Sequence, residues 1–352
     1  MSIGTVLRRF AGNDIGIDLG TANTLVYVRG KGILIQEPSV VALNEKTGQV
    51  VAVGRAAREM IGRTPAHIRV VRPLQHGVIS DFEVAEEMIA YFIEKAQGER
   101  RKLFGPRVVI GIPSGITNVE SRAVRDAAMN AGAREVFIVE EAMAGAIGAK
   151  LPIHDPVGSM VIDIGGGTTD VAMISLGGIV ASRNTTVAGD VFNRDIIEYI
   201  RDEFKITIGE KTAEDLKVRV TALVPQTEIL SQSVRGRDIM TGLPREVVVT
   251  DAHVRAALAS SIETLLEVIK EVVEITPPEV LGDIMNRGAY VFGGGALMRG
   301  FPEVLKKMLG VPVHVVQDPL TAVVRGTGII IENVEAYKDV LISYEEDLAP
   351  KA

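Results

Sequence analysis

An α/β fold built from two similar halves is what this chain predicts, and three observations predict it. The first is a repeat. Asp18-Leu19-Gly20-Thr21-Ala22-Asn23-Thr24 returns in altered form as Asp163-Ile164-Gly165-Gly166-Gly167-Thr168-Thr169-Asp170, the copies starting 145 residues apart (163 minus 18). The second is local. Each copy follows an apolar β-type run (Ile15-Gly16-Ile17; Met160-Val161-Ile162) and leads into another (Leu25-Val26-Tyr27-Val28; Val171-Ala172-Met173-Ile174). Each therefore reads as strand, Gly-rich turn, strand, with an Asp just before the turn. The third is the alternation of strand-like and helix-like segments along the chain, which argues for central sheets covered by helices.

Length and composition bound the rest. At 352 residues and 47% hydrophobic the chain is ample for a large core and too long for one simple domain, so two domains are expected. A net charge of −7 makes nucleic acid a poor partner, since such binders carry a basic excess. The absence of Cys excludes disulfides, thiolate chemistry and Cys-based zinc sites, and five scattered His argue against a His-rich metal centre. With aromatics at 4% and no Trp, the interior must rest on Val, Ile, Leu, Ala and Met. No apolar run reaches the roughly 18 residues of a membrane span. No secretion signal is legible at the N-terminus, so a cytoplasmic location is expected.

The elements follow in order. Within Met1–Phe10, Ile3, Val6, Leu7 and Phe10 share one helical face, with Arg8 and Arg9 beside it and no acid before Asp14. That pattern suits a short helix lying on an anionic membrane; the alternative is a terminal helix packed on its own domain. After the first hairpin, Gly32–Val53 is strand-rich with a turn at Asn44–Gly48, and Gly62-Arg63-Thr64-Pro65 breaks it. Val84, Met88, Ile89, Phe92 and Ile93 recur at helical spacing and predict a helix over 82–97. Leu103 and Phe104 sit in a polar turn, as loop-tip membrane anchors or as inward-packing residues. Arg107–Ile112 reads as a buried strand. Thr117-Asn118-Val119-Glu120 has the capping-box form, and the helix it opens should end near Gly132. Val136–Val139 is another strand and Glu141–Lys150 an Ala/Gly-rich helix. In the second half, helices are expected near 193–204 and 213–221, a β-rich segment over 231–250, and a long helix over about 253–275 stopped by Pro277-Pro278. Ala289-Tyr290-Val291-Phe292 then runs as a strand into Gly293-Gly294-Gly295.

The chemistry gathers at the turns. A Gly-rich turn lets backbone N–H groups approach phosphate oxygens with no Cβ in the way, and Thr21 and Thr168 add hydroxyl donors. Asp18 and Asp163 end their strands. Two carboxylates facing each other there would hold a hydrated Mg²⁺, which takes few protein oxygens. The third turn, Gly293-Gly294-Gly295-Ala296, is a candidate for adenosine. One such turn is weak; the Asp-x-Gly-x-x-x-Thr hairpin twice, with the third turn late in the chain, is strong. Glu141 opens its helix. It is either an acid stabilised by the helix dipole or the group that orients water at the γ-phosphate, since phosphoryl transfer depends on positioning and charge neutralisation; Glu140 competes for that role. Glu214 and Lys217, three apart on a helix, are a surface pair or the border of ribose and adenine. Asp190, after a strand, is a turn residue or a reach to ribose or metal-bound water.

Taken together these residues resemble the actin-like ATPase superfamily, and within it the MreB/Mbl rod-shape proteins of bacteria. The resemblance covers nearly the whole chain. It extends to Glu37-Pro38-Ser39-Val40-Val41-Ala42, Gly62–Pro65, Asp81-Phe82-Glu83-Val84, Ile208–Glu214, Thr241-Gly242-Leu243-Pro244-Arg245, Thr276-Pro277-Pro278-Glu279 and Gly293–Leu297. It implies four subdomains around a nucleotide cleft: 1–32, 78–148 and 320–352 as IA, 33–77 as IB, 149–181 and 246–319 as IIA, and 182–245 as IIB. It implies ATP-driven polymerisation into paired protofilaments on the inner, anionic face of the cell membrane, together with cell-wall elongation proteins.

Residue by residue, the resemblance assigns Asp18 and Asp163 to magnesium, and Thr21, Ala22, Asn23, Gly165, Gly166 and Gly167 to phosphates. Glu141 and Thr168 fall at the hydrolysis positions. Asp190, Glu214, Asp215, Leu216 and Lys217 fall at the nucleoside side, and Gly293, Gly294, Gly295 and Ala296 at the adenosine. Ile3, Val6, Leu7, Phe10, Leu103 and Phe104 become membrane contacts. The departures are Ala142 where Pro is usual, Asp170 where many MreB members carry Glu, and Asn193 for a frequent Asp. A small-molecule kinase on the same fold would need an acceptor pocket, and no sugar-site motif is legible. A chaperone ATPase would need a further substrate-binding domain, for which little length is expected to remain.

Overall fold

Each Gly-rich hairpin forms the middle of a five-stranded sheet. The structure is a computed structural model and describes residues 12–98 and 105–342. The chain divides into two units. One runs through Pro156 and adds Leu176–Ile179 and the chain from Thr321; the other holds Val157–Ser175 and Val180–Leu320.

The first unit opens with β1 (Ile15–Leu19), β2 (Asn23–Val28) and β3 (Gly32–Pro38), followed by β4 (Val41–Asn44), β5 (Val50–Val53), α1 (Arg55–Glu59) and β6 (Ile68–Val71). Next come β7 (Leu74–Gln75), β8 (Val78–Ile79), α2 (Phe82–Gln97), β9 (Arg107–Ile112), α3 (Asn118–Asn130), β10 (Glu135–Glu140) and α4 (Glu141–Gly148). The main sheet has the order β10-β9-β1-β2-β3. β1 pairs antiparallel with β2 and parallel with β9, and β9 pairs parallel with β10. A separate sheet, β5-β4-β6, has a small core of Val40, Ala42 and Ala57.

The second unit holds β11 (Ser159–Ile164), β12 (Thr169–Ser175), β13 (Gly178–Thr185), α5 (Gly189–Phe204), β14 (Ile206–Thr207) and α6 (Glu210–Val220). It continues with β15 (Ser231–Asp238), β16 (Pro244–Thr250), α7 (Asp251–Ile275), α8 (Pro278–Arg287), β17 (Ala289–Phe292), α9 (Phe301–Leu309) and β18 (Val313–Val315). Its main sheet runs β13-β12-β11-β17-β18. Strand for strand, this is the topology of the first sheet: an antiparallel hairpin, a third strand outside it, and two parallel strands on the other flank. A three-stranded sheet, β14-β15-β16, stands apart. The chain then returns to the first unit as α10 (Ala322–Glu332).

Helical periodicity explains what covers the sheets. In α2, Val84, Met88, Ile89, Phe92 and Ile93 are buried in the first unit's core, as their spacing predicts; a large side chain so buried contributes about 1.5–3 kcal/mol. Asp81 caps α2 by accepting from the Val84 N–H, and the Thr117–Glu120 capping box opens α3. α4 and α10 cross where Gly148 and Gly326 meet the backbone of the other helix, so no Cβ fits at either position. In the second unit Phe192, Ile196 and Ile200 of α5, Leu216 of α6 and Leu258, Leu265 and Ile269 of α7 share one core.

The differences from expectation are mostly at helix starts. α5 begins at Gly189, so Asp190 sits in its first turn and is not a turn residue before it. α6 begins at Glu210 and α7 at Asp251. Their first turns are polar and carry no apolar period, which hides them from pattern reading. Pro277-Pro278 does end α7, yet Pro278 also opens α8, because a proline at the first helical position loses no helical hydrogen bond. The chain stays with the first unit to Pro156, past the boundary expected after residue 148. Lys150 and Leu151 donate their N–H groups back to α4 at Ile147 O and Ala146 O, which ties this stretch to the helix.

Candidate functional site

Both hairpin turns lie at carboxyl ends of buried parallel strands, where open α/β sheets receive ligands. In the first unit the register sets Asp18 opposite Gly111, and Gly111 opposite Val139. Asp18, Glu140 and Glu141 therefore come out at one end of the sheet. Glu141 is the first residue of α4 and only 8% exposed, whereas Glu140 stands half-buried at the N-cap. A Cβ at Gly111 would lie 3.5 Å from Glu141 Cγ, so the Glu141 stem lies over β9, one strand from Asp18. A buried carboxylate at a helix N-terminus is favoured by the dipole. Burial pushes the Asp18 carboxyl up to about 7, because desolvation disfavours its charged form. A cation or donor beside it would reverse that shift.

The first turn is braced from outside. Thr21 Oγ1 accepts from the Gly77 N–H at 3.0 Å, which leaves the hydroxyl proton to donate. Ala22 and Asn23 stand exposed at the tip. Ser39, fully buried, donates from Oγ to Gly20 O at 2.5 Å, shares a 2.9 Å hydrogen bond with Thr24 Oγ1, and donates its N–H to Ala22 O at 3.1 Å. The sequence contained Ser39 within Glu37-Pro38-Ser39-Val40 but gave it no role. The available signal was one small hydroxyl in an otherwise apolar run next to the repeat.

In the second unit the turn closes on itself, the Gly165 N–H donating to Thr168 O at 2.9 Å. Gly167, Thr168 and Asp163 are buried; Gly165 and Gly166 are half-buried. The N-terminus of α5 docks onto the turn: Gly189 N–H donates to Gly165 O (3.1 Å) and Asp190 N–H to Gly166 O (2.8 Å). Two N–H groups that a helix start leaves unpaired are thus satisfied by the turn's carbonyls. Lys217 Nζ donates to Gly189 O at 2.9 Å and pairs with Glu214 Oε2 at 2.7 Å, and Asn193 Nδ2 donates to the same Oε2 at 2.7 Å. The turn, the start of α5 and the Glu214/Lys217 face of α6 therefore form one assembly.

Asp215 is half-buried on the same helix. Leu216 is 0% exposed in the apolar core with Ala213 and Val220, so its side chain faces away from any ligand and only its backbone remains for contact. The third turn also joins this group. Gly293 has φ +78°, and a Cβ there would strike Asp163 Oδ1 and the Ile164 carbonyl; one at Gly295 would strike the Ile164 side chain. Glycine is required for the turn to close against the strand end carrying Asp163. Gly294 continues a 3-10 turn to Leu297, in which Ala296 packs inward.

For a metal, no group of three or more His, Asp or Glu among the described residues is arranged to hold an ion. Asp18 of β1 and Asp163 of β11 are each a single carboxylate, the hard oxygen donor that Mg²⁺ accepts. Ile3, Val6, Leu7, Phe10, Leu103 and Phe104 lie outside the described residues. No helix among the described residues is long and apolar enough to cross a membrane.

Comparison with known proteins finds relatives over nearly the whole chain. The profile of the family described as MreB/Mbl protein matches residues 12–339. The chain is 48% identical over 323 residues to the cell shape-determining protein Mbl of Bacillus subtilis (strain 168), spanning 92% of this chain and 96% of that one. It is 44% identical over 347 residues to the cell shape-determining protein MreB of Escherichia coli (strain K12), spanning 97% and 100%. A crystal structure of MreB 5 of Spiroplasma citri bound to AMPPNP superimposes with a TM-score of 0.88 at 40% identity, covering 93% of this chain and 98% of that one.

Proposed function

This chain belongs to the MreB/Mbl family and has its actin-like fold, and from that premise we propose that it is an ATP-hydrolysing filament protein that maintains rod cell shape. The observation that carries the nucleotide reading is the duplicated hairpin. Each copy carries an Asp as the penultimate residue of its strand and then a turn that opens with glycine, Gly20 in the first and Gly165 in the second. The relative bound to AMPPNP supports a nucleoside triphosphate as the ligand.

In this reading Thr21, Ala22, Asn23 and Gly165–Gly167 take the phosphates, and Asp18 and Asp163 hold Mg²⁺ through its water shell. The ion supplies charge neutralisation at the phosphates. Glu141 and Thr168 align the attacking water, while Asp190, Glu214, Lys217 and the Gly293–Ala296 turn receive the nucleoside. The division into four subdomains is part of the same reading, with 33–77 and 182–245 as the small parts. Support comes from the separate sheet β5-β4-β6 within 33–77 and from β14-β15-β16, whose last strand runs past residue 245 to Thr250. ATP and ADP states must differ in affinity for neighbouring subunits if hydrolysis is to weaken the filament.

Membrane association through Met1–Phe10 and Leu103-Phe104, and work with cell-wall elongation proteins, complete the proposal. The amphipathic spacing of Ile3, Val6, Leu7 and Phe10 supports it. Sedimentation with anionic vesicles tests this. The full chain should pellet with ATP and the chain lacking Met1–Phe10 should lose vesicle binding; no pelleting by either would reject the membrane-bound filament. For the site, Glu141→Ala should retain ATP binding and slow phosphate release about a hundredfold. Unchanged hydrolysis would remove Glu141 from the mechanism.

A further inference from the structure

Two leucines at the third glycine turn stand in the open: Leu297 is 56% exposed and Leu320 49%. Leu297 closes the 3-10 turn that begins at Gly294. Its neighbours Ala296 and Met298 are buried, so Leu297 is the apolar side chain of this stretch that stays outside. In a 3-10 helix side chains three apart eclipse, which puts Leu297 on the edge where a Gly294 side chain would project. Leu320 reaches the same edge, because a Cβ at Gly294 would lie 3.7 Å from Leu320 Cδ2.

Backbone brings the second leucine there. The Gly293 N–H donates to Pro319 O at 3.0 Å, which fixes the segment carrying Leu320 beside the turn. Asp318, just before it, takes φ +48°, a left-handed conformation that a non-glycine residue holds only where the surrounding structure imposes it. Single exposed leucines are ordinary on a protein surface. These two converge on one glycine, in a turn pressed against the strand end that carries Asp163. The missing Cβ at Gly294 leaves a bare floor flanked by aliphatic carbon. Such a surface suits a flat ring, whose face can lie on the floor and whose apolar area the leucines cover.

We propose that Leu297 and Leu320 determine base specificity by covering the purine base of the bound nucleotide at Gly294. The proposal rests on the reading of Gly293–Ala296 as the adenosine contact. A purine offers two fused rings and a pyrimidine one, so more apolar area leaves water when a purine is covered. The leucines favour purine nucleotides on that ground and do not choose between ATP and GTP.

The test is the equilibrium affinity of the full chain, with magnesium, for ATP, for CTP and for inorganic tripolyphosphate, which has no base. Wild type should bind ATP most tightly. Leu297→Ser and Leu320→Ser should each weaken ATP about tenfold and move tripolyphosphate less than about twofold, so that the preference for ATP over CTP shrinks. Leu320→Met, which keeps an apolar side chain of similar volume, should stay within about threefold of wild type for ATP. Serine variants that keep the ATP affinity, or that weaken ATP and tripolyphosphate alike, would overturn the role of the leucines. Photolabelling with 2-azido-ATP, mapped by mass spectrometry, judges the underlying reading separately. Adducts on Gly293–Leu297 or Leu320 keep the adenosine reading whatever the affinities show. Adducts confined to other segments would remove that reading and the inference with it.

Discussion

The two Gly-rich hairpins have the same register and different supports. Asp18 faces Leu25 and Leu19 faces Thr24 in the first; Asp163 faces Asp170 and Ile164 faces Thr169 in the second, each pair offset by the same 145 residues (163 minus 18, 169 minus 24). Thr24 and Thr169 are both fully buried and both bond to the segment that follows the sheet's third strand. The partners differ. Thr24 meets the Ser39 hydroxyl, whereas Thr169 donates to the Val187 carbonyl at 2.7 Å. The first turn is held by one side chain, Ser39, and by the Gly77 N–H. The second is held by the backbone at the start of α5 and by the glycine turn after β17. Where side chains do the bracing, the turn can carry Thr21, Ala22 and Asn23. Where backbone docks on the turn, the corresponding stretch is Gly165-Gly166-Gly167.

That contrast predicts unequal sensitivity. The largest effect is expected at Gly293→Ala, which combines a positive φ with a Cβ driven into the Asp163 carboxylate and the Ile164 carbonyl. It should cost about 3 kcal/mol or more and abolish nucleotide binding. The matching stretch of the first unit, Ile112-Pro113-Ser114, tolerates side chains, so Ser114→Ala should cost under about 1 kcal/mol. Urea unfolding read at equilibrium checks both, and equal losses would break the contrast.

Next comes Ser39→Ala, which leaves Gly20 O and the Thr24 hydroxyl without their buried partner. About 1–3 kcal/mol is expected, with weaker ATP binding than in wild type. Thr169→Val removes one donor and keeps the shape, so about 1 kcal/mol is expected there. A larger loss at Thr169 than at Ser39 would mean that the second turn, not the first, depends on a side-chain brace.

The smallest effect lies at the far end of the first hairpin. Asp14 is desolvated, which alone would raise its pKa. The hydrogen bonds and charge of Arg107, with Arg134 beside it, outweigh that and hold the carboxyl below its ordinary value of 3.8. A depressed carboxylate stabilises the fold above its unfolded value and loses that contribution as pH falls through the folded value. Asp14→Asn should therefore cost on the order of 1 kcal/mol at neutral pH, reduced by the partial exposure of the arginines. The gap to wild type should narrow as pH falls below the ordinary value of 3.8, and a gap independent of pH would show that charge plays no part.

Much of the candidate site was legible because its chemistry is local. Turn glycines, strand-ending Asp residues and the N-terminal position of Glu141 are properties of short windows, and each reads from backbone requirements alone. Ser39 and Gly77 were not legible as parts of the candidate site. Each acts across a contact between distant segments, and a hydroxyl or amide in a buried run has no periodic signature. Leu216 shows the converse. It lies between Glu214 and Lys217 in sequence, yet helical geometry turns its side chain into the core.

By itself the sequence determined that there are two strand–turn–strand units, that sheets alternate with helices, and which carboxylates end the strands, because hydrophobic period and glycine demand are written residue by residue. Only the tertiary structure decided that the duplication reaches all five strands of each sheet. The matching pairs β9 with β17 and β10 with β18 share topology with little sequence likeness, since any apolar β-former satisfies a buried parallel strand. It also decided what braces each turn, because a hydrogen bond between residues 19 apart, as from Ser39 to Gly20, exists only once the chain has folded to bring them together.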